Sequence, residues 1–454
     1  MMLRLGHVPL PLLLLFSAFL VLAGSGGGAD RLSDVRATKH NLSVTGPGPV
    51  KAQTESQVCV FCHTPHGSET QPGAPLWNRQ LSGATYTPYT STSIDADDIA
   101  ATPGGSSKLC LSCHDGTLAI GAVNVANGEV DPLISMTGTG TGGVMPPGEG
   151  ETTGFTRNLG VELANDHPIS FTYDSALATA DGELRDPTLE SHIGDRSPGV
   201  KPIVPLELGK VECVSCHDPH IRAVDPTLNI KFLRLNRFQV SIPGGGGFSE
   251  TSDIICLACH DKLGQPWAES AHADINLADE IYQDVPADLR EFPRGIRVWE
   301  ASCLNCHDTH TVQGARHLLR EGTDALGSAS VPKAGGASAI ESNCYQCHTT
   351  AAESVLTANS EVPDIKTDFL LPRGMPITDA DQQSVGEAHD IADANFTETR
   401  ELLVRGDLTN RHAECPDCHN PHRVLRNRVF NGSGDTVAGT HDHTATHSNL
   451  ASGV

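Results

Sequence analysis

All 14 cysteines of this 454-residue chain lie in one repeated pattern, Cys-x-x-Cys-His. Two thiols and a histidine at this spacing are typical of covalent c-type haem attachment, in which the thiols form thioethers and the histidine binds the iron. The sequence therefore predicts seven covalently attached c-type haems. The expected thioether residues are Cys59, Cys62, Cys110, Cys113, Cys213, Cys216, Cys256, Cys259, Cys303, Cys306, Cys344, Cys347, Cys415 and Cys418. The expected proximal iron ligands are His63, His114, His217, His260, His307, His348 and His419.

Three other uses of cysteine account for the pattern less well. Disulfides are common in exported proteins, but they give no reason for a histidine after every second cysteine. Zinc ribbons use paired Cys-x-x-Cys knuckles and do not need that histidine either. A thioredoxin-like Cys-x-x-Cys occurs singly beside a βαβ pattern, which this sequence lacks. Because the haem pattern uses all 14 cysteines, no thiol is left for a structural role.

The second axial position of each iron is expected to hold another histidine. The chain has 22 histidines, whereas only Met136, Met145 and Met375 follow the predicted signal peptide. Methionine, which raises the potential of a haem, therefore cannot serve every iron. Bis-histidine ligation predicts low-potential, low-spin haems that are suited to electron transfer.

Four of the seven motifs carry a further histidine three residues after the proximal one, as in CHTPH from Cys62 to His66. On a helical turn, residues i and i+3 project to the same side, whereas the two axial ligands of one iron approach from opposite sides. Each of these histidines is therefore expected to reach a neighbouring haem. They are His66, His220, His310 and His422.

Five single histidines complete the candidate distal ligands, which makes nine candidates for seven positions. They are His167, His389, His40, His272 and His412. His192 and His317 are expected to be ordinary surface histidines. The tail with His441, His443 and His447 is rich in Gly, Ser and Thr and is expected to be flexible.

The composition predicts a mostly irregular, coil-rich fold with short α-helices wrapped around the haems and little or no β-sheet. Only 38% of the residues are hydrophobic and 4% aromatic, with 45 Gly and 29 Pro. This is a thin supply for a protein-only core, so the porphyrins are expected to fill the interior. A few longer helices are expected near the sequence ANDHPIS at residues 164–170 or after Cys344.

The motifs divide the chain into three haem pairs and an unpaired seventh haem. Within each pair the first motif has the additional histidine and the second lacks it. The predicted units are a signal peptide at 1–23, an N-terminal segment at 24–58, haem pairs at 59–212, 213–302 and 303–414, the seventh haem at 415–430 and a flexible tail at 431–454. The first pair includes a long Gly-rich loop.

The N-terminus predicts export. Arg4 precedes an apolar run from Val8 to Ala23, which is typical of a secretory signal peptide cleaved after Ala23. Cleavage after Ala29 and an uncleaved anchor are the alternatives, although the run is short for a membrane span. No transmembrane anchor is therefore expected. The net charge of −24 makes nucleic acid an unfavourable partner.

A short apolar segment with arginine follows each motif that has the additional histidine. These segments are LWNR at Leu76, FLRLNR at Phe232, HLLR at His317 and VLRNR at Val424. The planar guanidinium group could bind a haem propionate, or each arginine could be a solvated surface charge. The repetition itself predicts a repeated-unit architecture.

With these motifs, the chain resembles exported multihaem c-type cytochromes with doubled Cys-x-x-Cys-His motifs, which are typical of bacteria that respire metals or other extracellular acceptors. The resemblance covers about residues 36–430 and depends on TKHNLSVTGPGPV, VCVFCHTPHG, LCLSCHDGT, NDHPISF, CVSCHDPH and AECPDCHNPH. It implies a mostly coil fold around bis-histidine haems, in which the +3 histidine binds a paired haem. Some related cytochromes polymerise into filaments in which a histidine crosses the subunit boundary. The odd number of motifs departs from the doubled pattern.

The expected function is that of a heptahaem cytochrome that carries single electrons along a row of haems, with the first and seventh as entry and exit. It would be periplasmic or extracellular and would exchange electrons with other cytochromes or an extracellular acceptor. One alternative is a multihaem reductase with an open haem, although no lysine variant of the attachment motif occurs. The other is a subunit of a self-assembling filament or an outer-membrane conduit.

Overall fold

The computed structural model describes residues 31–70, 75–91, 94–147, 157–225, 230–244, 247–261, 265–310, 318–320, 341–357, 362–366, 415 and 419–424. The predicted signal peptide at 1–23 and the predicted tail at 431–454 lie outside these ranges. In the part of the chain that is described, no helix has the length and apolar character needed to cross a bilayer.

Helices in the described ranges are short, and the longest, α1, has 10 residues. They are α1 (Gly105–His114), α2 (Ser175–Asp181), α3 (Cys213–Cys216), α4 (Gln265–Ala268), α5 (Asp284–Leu289), α6 (Val298–Ala301) and α7 (Glu341–Cys344). Short 3-10 helices span Val35–Ala37, Cys59–Phe61, Thr141–Gly143, Ile255–Ala258 and Ser302–Asn305. The helix expected at residues 164–170 is wrong, because this stretch has no helical residue. Pro168 removes a backbone donor there, and Ser170 has a φ of 61°.

Strands of two or three residues pair into two-stranded ribbons. They are β1 (Arg31–Ser33), β2 (Lys51–Ala52), β3 (Val125–Ala126), β4 (Glu129–Val130), β5 (Met136–Thr137), β6 (Phe171–Thr172), β7 (Ile193–Asp195), β8 (Val204–Leu206), β9 (Lys210–Val211) and β10 (Ile221–Ala223). The pairs β1–β10, β2–β5, β3–β4 and β6–β9 are antiparallel, and β7–β8 is parallel. These ribbons fasten distant segments to one another and do not extend into larger sheets within the described ranges.

Each attachment motif forms one helical turn. The backbone N–H of the proximal histidine donates to the carbonyl of the first cysteine, for example from His63 to Cys59 at 2.8 Å and from His307 to Cys303 at 3.0 Å. In the second motif the same turn is the end of α1, which ends at His114. A bond between residues i+4 and i places the first thiol and the imidazole on one side of the turn. The five-residue motif is thus a local unit that presents both groups together.

Buried apolar side chains form several small clusters rather than one contiguous core, which is unusual for a chain of this length. The largest surrounds Tyr282, Phe292 and Trp299. Another includes Phe171, and members of both clusters, such as Phe171 and Val298, line a large internal cavity. The apolar side chains therefore form the walls of an interior space.

Contacts cross the predicted boundary at residue 212. Strand β1 of the N-terminal segment pairs with β10, which follows the third motif. The backbone N–H of Cys213 donates to Oγ of Ser107 in α1 at 2.9 Å, and Nε of Arg185 donates to the carbonyl of Leu257 at 2.8 Å. The first two predicted haem-pair units are therefore packed against each other.

Candidate haem-binding sites

We number the candidate sites 1 to 7 in the order of their attachment motifs. At sites 1 to 6 the proximal histidine lies opposite a second histidine, with ring centroids 6.2–6.3 Å apart. In order, the pairs are His63 with His220, His114 with His40, His217 with His310, His260 with His167, His307 with His422 and His348 with His272. Each second member is one of the predicted distal candidates.

This separation fits an iron between the two rings. A metal–imidazole bond of about 2.0–2.1 Å, with about 1.1 Å from nitrogen to ring centroid, puts two trans imidazole centroids about 6.3 Å apart. The angle between the ring planes varies from 14° for His307 and His422 to 86° for His40 and His114. Rotation about metal–nitrogen bonds changes this angle but not the separation. The six ring pairs have nearly the same centroid separation and differ in interplanar angle, as two rings bound to one metal would.

The hydrogen bonds of the rings leave Nε2 available as the iron ligand. In seven of these histidines, Nδ1 lies 2.6–3.3 Å from a backbone carbonyl oxygen, which accepts the Nδ1–H. Metal-binding histidines usually donate their other N–H in this way, which fixes the tautomer and the ring orientation. The acceptors are Pro75 for His63, Arg157 for His114, Lys231 for His217, Pro363 for His348, Pro219 for His40, Pro168 for His167 and Pro421 for His272.

Two distal candidates instead bond carboxylates. Nδ1 of His220 lies 3.0 Å from Asp218, and Nδ1 of His310 lies 2.7 Å from Asp166. The bond to Asp218 raises the pKa of His220. Burial lowers the pKa of His310, but the bond to Asp166 more than offsets this and the net change is upward.

Burial favours the neutral form of most of the other histidine rings, and this is the form that binds metal. It lowers the pKa of His40 and of His348 to about 4 and that of His217 to about 3. Burial also lowers the pKa values of His114, His167 and His272.

One continuous cavity of about 3780 Å³ connects the sites. Pockets for drug-sized ligands are about 300–1,000 Å³, so this space is several times larger. It is lined by all seven proximal histidines, by the six histidines opposite them and by the 13 described cysteines, which form no disulfide with one another. The residues expected to attach haem therefore face one shared interior. Within the described ranges, no three His, Cys, Asp or Glu side chains converge to hold a bare metal ion.

Thiols of consecutive motifs lie beside one another along the described chain. A contact between the first cysteines of two motifs raises the pKa of the earlier thiol in three cases, Cys110 with Cys213, Cys256 with Cys303 and Cys344 with Cys415. The alternating motifs interact electrostatically through Cys62 and Cys113, Cys216 and Cys259, and Cys306 and Cys344. The attachment motifs therefore follow one another in space in the order of the sequence.

The residue after the proximal histidine shapes the turn that carries the +3 histidine. The side chains of Asp218, Asp308 and Asn420 accept the backbone N–H two residues later at 2.8–3.0 Å. His217 is already extended, with φ −111° and ψ 148°, so the chain leaves the helix there. The helical turn assumed from the sequence is therefore wrong, and an Asp/Asn side-chain turn directs the two histidines to different partners. We call residues 63–66, 217–220, 307–310 and 419–422 the HxxH turns.

The arginines that follow two HxxH turns hold the motif in place. Nε of Arg320 donates to the carbonyl of Leu304 at 2.7 Å, and its guanidinium pairs with Asp308 at 2.7 Å. Arg234 makes the same two contacts, with Val214 at 2.7 Å and with Asp218 at 3.0 Å. Both guanidinium groups therefore bind protein atoms, whereas the sequence analysis considered only a haem propionate or solvent as their partner.

In the first motif, an asparagine occupies the corresponding position. The Asn78 side chain donates to the carbonyl of Val60 at 2.5 Å, and its backbone N–H donates to Cys62 at 3.0 Å. The adjacent Arg79 is buried and donates to backbone carbonyls that include Ser112 and Ile120. Arg79 therefore ties the first motif to the second.

Three of the nine distal candidates are not placed opposite a proximal histidine. His66 is exposed, and no described histidine ring lies against it. His389 and His412 lie outside the described residues, as do Cys418, His317, His441, His443 and His447. His419 lines the cavity, but the described ranges place no histidine ring opposite it.

The expectation that His192 is a surface residue is wrong. His192 is 7% exposed, and its Nε2 lies 2.9 Å from the carbonyl of Ala258 in the fourth motif. Nδ1 lies 3.4 Å from Glu190. Because Nε2 is used by a backbone acceptor, His192 differs from the candidate ligands, whose Nδ1 is used instead.

The sequence reasoning did not identify Asp166 or the carbonyl acceptors as part of the sites. Asp166 adjoins His167 in NDHPISF, but its partner His310 is far away in the chain. No local pattern predicts that contact. The Asp or Asn after three of the proximal histidines was a sequence signal for the HxxH turns, because these residue types are typical of such turns.

Comparisons with known proteins identified no relative, so the motifs and the site geometry are the basis for assigning a function. No protein-family model matches the chain. A search of curated proteins also found no significantly similar sequence.

Proposed function

We propose that the protein is an exported heptahaem c-type cytochrome that carries single electrons along a row of sites in the order 1 to 7. One-electron chemistry would come from the haem irons. The observation that carries the proposal is the set of six histidine pairs at 6.2–6.3 Å, each beside an attachment motif. The contacts between thiols of consecutive motifs support the order.

In this proposal the chain holds each site rigid and excludes other axial ligands. The Cys-x-x-Cys-His turns would hold the porphyrins, the carbonyl acceptors would orient the histidine rings, and the second histidines of sites 1 to 6 would be further ligands of the irons. Filled axial positions favour electron transfer over ligand chemistry. Redox partners would be other cytochromes or an extracellular acceptor, which exchange electrons at the ends of the row.

The test is haem stoichiometry and ligation on the protein recovered from the exported fraction. A pyridine haemochrome assay with intact mass should give seven haems per chain, and the EPR spectrum should be dominated by low-spin ferric haem. The N-terminus should begin after Ala23 or Ala29. Fewer than six low-spin haems per chain would contradict the ligand pairs. Carbon monoxide binding at site 7, together with turnover of an oxyanion, would favour the reductase alternative.

A second candidate function, as the subunit of a head-to-tail assembly, is favoured by a regularity in the pairs. Three of the four +3 histidines lie opposite the proximal histidine of the preceding HxxH turn: His220 opposite His63, His310 opposite His217 and His422 opposite His307. By this rule His66 has no earlier turn in its own chain, and His419 has no later one. A second copy could satisfy both, with His66 of one chain serving site 7 of the next.

Substitution of His66 separates this candidate from a soluble carrier. In the assembly, His66→Ala should abolish filaments seen by negative stain and leave site 7 without its distal ligand, while sites 1 to 6 stay low-spin. His192→Gln is the matched control and should leave assembly unchanged. Unaltered assembly in His66→Ala would refute the head-to-tail ligand, and so would six-coordinate ligation of site 7 in isolated monomers.

A further inference from the structure

Site 3 is one of two described sites, with site 1, at which a carboxylate holds the distal histidine. Nδ1 of His310 lies 2.7 Å from Oδ1 of Asp166, whereas seven other axial candidates bond backbone carbonyls. The Asp166 side chain is only 7% exposed and that of His310 is 32% exposed. The contact is therefore a short and largely desolvated hydrogen bond to a carboxylate, which is stronger than a bond to a neutral carbonyl.

Asp218, which bonds the distal histidine of site 1, is in a different setting. Its carboxylate lies 3.0 Å from Nδ1 of His220 but also 3.0 Å from Nη1 of Arg234. The His220 side chain is 51% exposed. Because the guanidinium and water both screen this carboxylate, its effect on His220 should be the smaller of the two.

The surroundings of Asp166 leave its charge directed at His310. The other described charges that act on it, Asp308 and Glu162, have the same sign. Asp308 is itself paired with Arg320 at 2.7 Å. Asn165 supplies a neutral donor, because its amide nitrogen lies 3.0 Å from Oδ2 of Asp166 when the amide is oriented to satisfy both of its polar atoms.

We propose that Asp166 is a positioning residue that lowers the potential of site 3 below that of a site whose distal histidine bonds a backbone carbonyl. This inference rests on the proposed function, because it requires His310 to be an axial ligand. A carboxylate that accepts Nδ1–H makes the imidazole a more basic ligand through Nε2. A more basic ligand stabilises Fe(III) over Fe(II), and such outer hydrogen bonds are an established control on haem potential. One electron is transferred and the Nδ1 proton stays on His310 in both states.

Asp166 also connects site 3 to its neighbours. The next residue, His167, lies opposite His260 of site 4, and its backbone N–H donates to Thr309 in an HxxH turn at 2.9 Å. One dipeptide therefore serves two consecutive sites and gives only one of them an anionic acceptor. An electron that crosses the row would meet its uphill step at site 3, after the first two sites and before the last four.

The test is an EPR-monitored redox titration of the full chain with all haems attached. Asp166→Asn keeps an acceptor of the same shape but removes the charge. It should raise the midpoint potential of site 3, with about a tenfold shift of that equilibrium toward the ferrous form, or 59 mV for a one-electron couple. His310→Met changes the ligand at site 3 alone and so identifies its signal. Asp218→Asn is the matched control and should shift its own site clearly less.

A second variant predicts the opposite sign and keeps the inference testable if Asp166→Asn loses haem. Asn165→Ala removes the neutral donor to Asp166 Oδ2, so the carboxylate should pull harder on His310 and lower the site 3 potential further. Unchanged midpoints in both variants would overturn the role of Asp166, as would equal shifts in Asp166→Asn and Asp218→Asn. If His310→Met leaves every EPR signal unchanged, the ligand pair itself fails, which is a failure of the proposed function.

Discussion

Two kinds of site alternate along the chain and differ in where their second histidine comes from. Sites 1, 3 and 5, whose motifs contain HxxH turns, receive it from the next HxxH turn. Sites 2, 4 and 6 receive it from a single histidine, His40, His167 or His272, that precedes the motif pair to which the site belongs. The first kind links a site to the HxxH turn that follows its pair, and the second closes a site with a histidine from the segment that precedes its pair.

Both kinds nevertheless depend on the same turn. His40 donates from Nδ1 to Pro219 in the HxxH turn of the third motif, and His272 donates to Pro421 in that of the seventh motif. His167 uses its backbone N–H for Thr309 in the same way. Each following HxxH turn therefore supplies the ligand of one site and holds the ligand of the adjacent one. This arrangement explains why His66, in the first HxxH turn, has no described partner ring.

The largest expected effect comes from removal of a linking ligand. His220→Ala should open site 1 and produce one five-coordinate, carbon monoxide-binding haem in seven, because no other described histidine lies opposite His63. A carbon monoxide difference spectrum, normalised to total haem, measures this fraction.

The control for this prediction is a histidine that is equally part of the interior but not a ligand. His192→Gln should create no carbon monoxide-binding haem, because Nε2 of His192 faces a carbonyl. His272→Ala, at a site of the second kind, should open site 6 to the same extent. An unchanged spectrum in His220→Ala would remove the distinction between linking and closing histidines.

A smaller effect is expected from the arginine that fixes an HxxH turn. Arg320 is 3% exposed and pairs with Asp308, which is 17% exposed. Arg320→Ala leaves a carboxylate without its buried partner, so the free energy of unfolding should fall by about 3–5 kcal/mol. Denaturant unfolding followed by the haem absorption measures the change.

The matched arginine is Arg294, whose side chain is 63% exposed and pairs with Asp288 at 2.7 Å. Solvent screens this pair, so Arg294→Ala should leave the unfolding midpoint almost unchanged. Equal losses of unfolding free energy in the two variants would mean that Arg320 does not anchor the HxxH turn. The two kinds of motif would then differ only in the source of their second histidine.

The attachment residues and most of the ligand types were accessible from sequence because they are local. The Cys-x-x-Cys-His unit closes within five residues, and six of the nine distal candidates, including His40 and His272, lie opposite a proximal histidine. The pairing was not accessible, since it joins segments far apart in the sequence and the described ranges contain no long periodic helix or strand. His192 was misjudged for the same reason, because its burial depends on Phe248 and Ala258 from another segment.

The smallest predicted effect distinguishes two HxxH turns. His422, in one of them, lies opposite His307, whereas His66, in the other, has no described histidine ring opposite it. Asn420 accepts the backbone N–H of His422 at 3.0 Å and so holds the ligand of site 5 in place. Asn420→Ala removes one hydrogen bond of about 1 kcal/mol, which should increase exchange of His422 for added imidazole about fivefold. Thr64→Val removes the corresponding turn contact to His66 and should leave exchange at sites 1 to 6 unchanged, because no described site uses His66. Faster exchange at site 1 in Thr64→Val would show instead that the first turn supports its own proximal histidine, and the two kinds of turn would then share one structural role.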